Sequence, residues 1–357
     1  LSHTQQNTDL ADDWQSGTEK SISLTLDQAI YTGGQVSAAI NEQERSKKVT
    51  ENQYRSLVND IILQTVTAYM DVYQSFESVR VNKGNVTLLS KEYDAVRARF
   101  DAGELTRTDV AQSLASLSNA KAQLVQEQSE YDIALSDYKS VTTKSAQGQF
   151  LYPALDMVFL PHDLDEALGV AMEKNPDVLA EKMQVLANQS NIDEQSGAFY
   201  PQLDMNIGAT MSRDPVFSNV DRQESANIGL TATLPLYQSG ILRNQLRQAK
   251  ILKEQSQSDV DVTQLEITNQ VISAWQNYQS ALTQINARED QLDAAKLAYE
   301  GVKLEEENGA RSILDVLDVN QDMLNAELSL IDARTNKVKS FYNLLDALGL
   351  IDKAFLG

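Results

Sequence analysis

The sequence predicts a mainly α-helical chain with a β-barrel portion, arranged as a two-fold repeat of strands, a long coiled-coil helix and a returning helix. Three observations lead there. The first is a repeat of constant offset: Ile30-Tyr31-Thr32-Gly33-Gly34 is answered 206 residues later by Leu236-Tyr237-Gln238-Ser239-Gly240, and the same offset pairs Gly103 with Gly309, Thr106 with Ser312, Asp109 with Asp315 and Leu124 with Leu330. Register held over that distance means one architecture copied twice. The second is proline placement. Pro153, Pro161, Pro176, Pro201, Pro215 and Pro235 all fall in one central window, so no proline interrupts helices on either side of it. The third is a switch of hydrophobic period, from 2 to 3.6, within each repeat.

The period-2 segments come before the long helices. Ile22, Leu24, Leu26 and Ile30 alternate with Ser21, Ser23, Thr25, Asp27 and Ala29. Ile228, Leu230, Ala232, Leu234 and Leu236 alternate with Asn227, Gly229, Thr231, Thr233 and Pro235, and a further strand alternates Leu203, Met205, Ile207, Ala209 and Met211 with polar residues or glycine. Such strands fit a sheet packed on a core, and they also fit a barrel with lipid outside and a wet lumen. No amphipathic helix is left over to cover the apolar face, which favours lipid against Leu24, Leu26, Leu230 and Leu234. The polar segments 1–20, which hold Trp14, and 212–226 are expected to be loops between strands.

Each long helix is expected to run between glycine anchors, Gly34 to Gly103 and Gly240 to Gly309, a rod of about 100 Å. Val66, Tyr69, Val72, Phe76 and Val79 fall on Ile272, Trp275, Tyr278, Leu282 and Ile285, a heptad-like stripe that must face another helix. Shorter helices over about 106–147 and 312–348 carry Leu114, Leu117 and Leu124 in one and Leu317, Leu324, Leu328 and Ile331 in the other, so each pair reads as an antiparallel hairpin. A helix from Leu164, broken at Asn175-Pro176, opens the second repeat. The first repeat spans 1–163 and the second 164–357. Subtracting the offset from Leu164 leaves the first repeat short of about forty residues, with two short helices and a strand expected upstream of Leu1 to give four strands per chain.

Composition narrows the function. The 357 residues carry a net charge of -21 and two histidines, which excludes electrostatic binding to nucleic acid. There is no cysteine, hence no thiol nucleophile, cysteine zinc site or disulfide framework. His3 and His162 lack metal-ligand spacing and read as structural. No phosphate loop, nucleophile elbow or catalytic triad can be assembled, so neither enzyme activity nor a cofactor is expected.

Two strands, a rod-like helix and a returning helix, duplicated, resemble the layout of the TolC family of outer-membrane channels. Thr233-Leu234-Pro235-Leu236-Tyr237-Gln238-Ser239-Gly240 looks like that family's strand-to-helix junction, Tyr200-Pro201-Gln202-Leu203 its strand start, and Gly309-Ala310-Arg311-Ser312-Ile313-Leu314-Asp315-Val316-Leu317-Asp318 the helix turn at its periplasmic entrance. The resemblance implies a homotrimer whose protomers share one twelve-stranded barrel in outer-membrane lipid, continuous with an α-barrel tunnel across the periplasm. It implies a passive exit duct for drug efflux or type I protein secretion, closed by its coiled-coil hairpins and opened when a periplasmic adaptor and an inner-membrane transporter engage. The competing reading is a soluble periplasmic coiled-coil adaptor or scaffold, which would carry one hairpin in a lipoyl-like β-domain instead of two preceded by amphipathic strands.

By the same resemblance, Asp315 and Asp318 form an acidic ring at the entrance, and Arg311 holds it closed by pairing with Asp109 or with groups near Thr108. The residues also support plainer roles. Ser312 with Asp315, and Thr106 with Asp109, have capping-box spacing; Arg311 can be an exposed turn residue. Asp318 lies beyond the cap and its repeat partner is Gln112, so helix capping does not explain it. Where the family often has a tyrosine tying hairpins together, this chain has Glu306 within Glu305-Glu306-Glu307, a run expected to be a solvated face.

Overall fold

The computed structural model describes residues 2–6, 15–146, 150–155, 160–213 and 220–351. Among them are β1 (Ser2–Gln6), β2 (Gln15–Tyr31), α1 (Gln35–Asp101), α2 (Arg107–Thr142), α3 (Leu164–Lys174), α4 (Pro176–Gly197), β3 (Gln202–Arg213), β4 (Arg222–Thr233), α5 (Ile241–Glu307) and α6 (Ile313–Ala347). The offset survives in three dimensions: α1 and α5 are both 67 residues long and begin and end 206 positions apart. The chain divides into two compact units, one of Leu1–Thr50 with Glu181–Val260 and the other of Glu51–Ala180 with Asp261–Gly357. Each unit contains parts of both repeats.

The first unit holds an antiparallel sheet in the order β1-β2-β3-β4. Its register brings the three sequence alternations into phase. Leu24 faces Ala209, Leu26 faces Ile207, and Ile207 faces Ile228, while Thr25 faces Gly208 and Gly208 faces Asn227. Directly paired residues share a face, so one side of the sheet is apolar across three strands and the other polar. The apolar side is bare: Leu24 is 74% and Leu230 67% exposed, with Ile22, Leu26, Ile228 and Leu234 also exposed. On the polar side a Cβ at Gly208 would collide with the Asn227 amide, and one at Gly229 with Asn206. These paired glycines are what lets the two asparagines lie flat across the strands.

Three expectations about the strands need correction. Ser2–Gln6 and Gln15–Lys20 are paired strands instead of loop, as are Arg222–Ala226; these stretches are polar on both faces, so no period-2 signal marks them. The described residues therefore contain four strands, not three. At Ile30 the alternation breaks, because the register shifts between Ala29 and Tyr31 and Tyr31 takes the place opposite Leu203. Trp14 lies outside the described residues, as do residues 214–219 of the second expected loop.

The second unit is built around α6. Val338 packs with Val66 and Met70 of α1, and Leu324 and Ile331 with Val81. On its other side Ala326 and Leu330 meet Leu292 of α5, and Phe341, Leu344 and Leu345 join Val271 and Tyr278. Trp275 packs partly buried against this core. The α5 stripe is the expected one only in part: Tyr278 is buried and Leu282 packs beside it against this core, but Ile272 is exposed and the seam runs also through Ile267, Val271, Ala274 and Ala281, because alanines let α6 approach closely and hydrophobicity alone undervalues them. Leu114 is likewise exposed whereas Leu117 is buried. The break at Asn175-Pro176 is as expected: the Asn175 Oδ1 accepts from the Asp177 amide at 3.0 Å and its Nδ2 donates to the Ala347 carbonyl at 3.1 Å, capping α4 and tying it to α6.

Candidate functional site

The sequence places its functional candidates at the two turns joining α1 to α2 and α5 to α6, both within the second unit. The turns are built alike. Gly103 and Gly309 have φ of 84° and 77°, a left-handed conformation that favours glycine. The Gly103 amide donates to Phe100 and the Glu104 amide to Arg99; 206 residues on, Gly309 donates to Glu306 and Ala310 to Glu305, at 2.8 or 2.9 Å in every case. This is a Schellman end. The next helix then opens at once on a capping box. Asp109 Oδ2 accepts from the Thr106 amide and hydroxyl at 2.8 Å, and Asp315 Oδ2 from the Ser312 amide and hydroxyl at 2.9 and 2.8 Å, with the reciprocal bond present in each. These donors hold both carboxyls below the usual carboxylate range, since hydrogen bonds to the ionised form favour it.

The capping role of Asp109 and Asp315 is thus present in the chain. Arg311 Nε pairs with Glu305 Oε2 at 2.9 Å within its own turn, and that bond raises the guanidinium pKa further. Thr108 and Asp318 are exposed. Asp318 stands on the wall of a cavity of about 380 Å³ among α1, α2 and α6.

What sequence reasoning missed is the cross-link between the turns. Glu306 is not a solvated member of an acidic run; it is buried, and its carboxylate accepts from Arg99 Nη1 at 2.7 Å. One helical turn away, Lys303 Nζ meets Glu92 Oε1 at 2.9 Å. Both pairs join α1 to α5, and they flank an apolar cluster of Val96, Ile313 and Val316 against Leu105, Val110 and Tyr299. The carboxylates explain why Arg99 and Lys303 are held protonated more firmly than usual. The signal was in the sequence as the departure from the family's tyrosine at 306, but Arg99 lies 207 residues away and no local pattern connects them.

Comparison with known proteins agrees with this architecture. The model of the family described as "Outer membrane efflux protein" matches residues 1–139 and 167–350. The outer membrane efflux protein BepC of Brucella suis biovar 1 is 30% identical over 340 residues, covering 95% of this chain and 74% of BepC. The outer membrane protein TolC of Escherichia coli K12 is 23% identical, covering 93% of this chain and 70% of TolC. Among solved structures, the CmeC outer membrane channel of Campylobacter jejuni superposes with a TM-score of 0.82 at 18% identity, covering 98% of this chain and 76% of CmeC. The chain belongs to the outer membrane efflux protein family, channel proteins and not enzymes, and is an exit duct of the bacterial outer membrane.

Proposed function

We propose that the chain acts as a passive homotrimeric duct whose apolar sheet face meets outer-membrane lipid. The observation that carries this is the bare face of Ile22, Leu24, Leu26, Ile228 and Leu230, matched across three strands by the register and backed by an opposite face of polar residues, glycine and Ala29. Four strands cannot close a barrel, and lipid does not tolerate open sheet edges; three copies give twelve strands and remove the edges. Exposed Tyr54, Leu57 and Ile61 on α1 and Val262 and Leu265 on α5 repeat at 3- and 4-residue spacing, the pattern that packs against a neighbouring helix. The division into repeats 1–163 and 164–357 fits the equal lengths of α1 and α5. Arginine at Leu24 or Leu230 is expected to impair membrane assembly, by about 2 to 4 kcal/mol near the midplane, whereas Thr25→Arg and Thr231→Arg are tolerated. Equal loss at both pairs in an outer-membrane fractionation assay would reverse the face assignment.

A periplasmic adaptor and an inner-membrane transporter supply the energy, by analogy with the efflux and secretion proteins to which the chain is similar. The entrance is formed by the two turns. Asp318 with Asp315 from three copies makes a ring of carboxylates, and Arg311 exchanges its Glu305 partner for Asp109 or the Thr108 region of a neighbouring protomer when the entrance is closed. Multivalent cations then block current from the periplasmic side, more strongly at low salt. Asp315→Ala with Asp318→Ala is expected to abolish that block in planar-bilayer recordings; block that persists moves the ring elsewhere.

A further inference from the structure

The sheet gives way to α5 through a surface that folding does not explain. At this end of the sheet Tyr31 pairs with Leu203 and Gln202 with Thr233, and the groups around them are bare. Tyr31 and Tyr200 are exposed, and Leu236 and Tyr237 are 89% and 85% exposed. Tyrosines in such a place are typical of a membrane–water boundary. Directly beyond, the chain turns basic. Residues 225–253 carry Arg243, Arg247, Lys250 and Lys253 and no acid, in a chain of net charge -21. Lys253 is occupied, donating to Gln189 Oε1 at 2.8 Å. Arg243, Arg247 and Lys250 are exposed and stand four and three residues apart, so they share one helix face. None of these three forms an ion pair among the described residues.

Helix stability does not account for the stripe. The first turn of α5 has no acidic residue, and Arg243 there opposes the helix dipole. The internal repeat supplies a control. The positions of α1 equivalent to Arg243, Arg247 and Lys250 are Ser37, Asn41 and Glu44, so the other copy of this junction is built without the three cations. The stripe also adjoins the bare apolar groups: Arg243 lines one depression of about 190 Å³ with Phe199, Leu236 and Tyr237. A cation beside exposed aromatic and aliphatic side chains complements a molecule with an anionic head and an apolar tail. A free anion makes no use of Leu236 or Tyr237. From Arg243 to Lys250 the helix rises about 10 Å, close to the depth of a headgroup layer, about 5 to 8 Å on each side of the hydrocarbon.

We propose that Arg243, Arg247 and Lys250 dock the phosphate headgroups of anionic phospholipid on the periplasmic side of the outer membrane, with Leu236 and Tyr237 at the boundary of the acyl chains. The inference rests on the reading that the apolar sheet face meets lipid, and adds a headgroup preference that apolar contact alone cannot give. An acidic chain is repelled by an anionic bilayer as a whole, but charge is screened over about 10 Å at 0.1 M salt, so a local basic stripe can bind where the net charge would not.

The test reconstitutes the full chain into phosphatidylcholine bilayers with a trace of spin-labelled phosphatidylglycerol or spin-labelled phosphatidylcholine, and reads the motionally restricted fraction by electron paramagnetic resonance. The phosphatidylglycerol label is expected to be enriched about threefold or more over the phosphatidylcholine label, falling toward equality in about 0.5 M salt. Arg243→Gln with Arg247→Gln and Lys250→Gln should remove the preference. Lys83→Gln with Lys121→Gln and Lys296→Gln, which takes the same charge from exposed positions in the second unit, should leave it. If the stripe variant does not fold, photoactivatable phosphatidylglycerol on the wild type should label peptides from 236–253. Equal enrichment of both labels in the wild type, a preference kept in the folded stripe variant, loss in the control variant as well, abolition by millimolar inorganic phosphate at constant ionic strength, or labelling elsewhere would each overturn the assignment. Incorporation without preference removes the stripe and leaves the lipid-facing sheet standing; failure to enter a bilayer of either lipid removes both.

Discussion

Helices α2 and α6 begin 206 residues apart and are 36 and 35 residues long, yet fifteen residues of α6 are buried against four of α2. The two share a Schellman turn before them and a capping box at their start, so local backbone chemistry does not distinguish them. Neighbours do. α6 meets α1 on one side and α5 on the other, whereas α2 buries Leu117 and Ala120 beside Leu89 and Leu317 and elsewhere sets Tyr138 edge-on to Tyr69 and Tyr131 edge-on to Phe150 and tilted against Phe76. The contrast is clearest at one repeat pair: Ile331 is 8% exposed and Val125 65%. Duplication copied the path of the chain and its turns; the core was then placed mainly on one copy.

The largest expected effect lies in that asymmetry. Phe341→Ala should destabilise the second unit by about 3 to 5 kcal/mol and Ile331→Ala by about 2 to 4, while Val125→Ala changes the unassembled chain by less than about 0.5 kcal/mol. Denaturant titrations in detergent can rank them. Equal losses at Ile331 and Val125 in the unassembled chain would break the comparison; a Val125 effect confined to the oligomer would sharpen it, by placing a neighbouring copy on α2.

A smaller effect concerns the end of α6. The repeat partner of Asp346 is the exposed Ser140. Burial, with Asp60 and Asp177 adding negative charge, pushes the Asp346 carboxyl up to about 6. A carboxyl whose folded pKa is raised binds protons in the native state that the unfolded chain has already released. Its contribution therefore weakens the fold as pH rises from about 4 through about 6, and is absent below that window. Asp346→Asn should stabilise the protein by roughly 1 to 3 kcal/mol at pH 7 and by nothing near pH 3.5. A stabilisation independent of pH would assign the effect to packing instead.

Much of the fold was legible because it rests on local signals that repeat. Glycines with left-handed φ, Thr106 and Ser312 as caps, and the Asn175-Pro176 break all act within a few residues, and each appears where the sequence puts it. Strand ends that are polar on both faces were not legible, since Ser2–Gln6 and Arg222–Ala226 have no alternation to read. The buried seam of α5 was shifted because Ala274 and Ala281 pack by being small. At the turns, the helix caps could be read but the Arg99–Glu306 pair could not, because burial of an acidic residue depends on a helix two hundred positions away.

The central claim, that three copies of this chain close one outer-membrane duct, is tested most directly by native mass spectrometry of the detergent-solubilised protein alongside circular dichroism. The account predicts a single species at three times the protomer mass with its β-signal intact. A monodisperse monomer that keeps the same β-signal would contradict it.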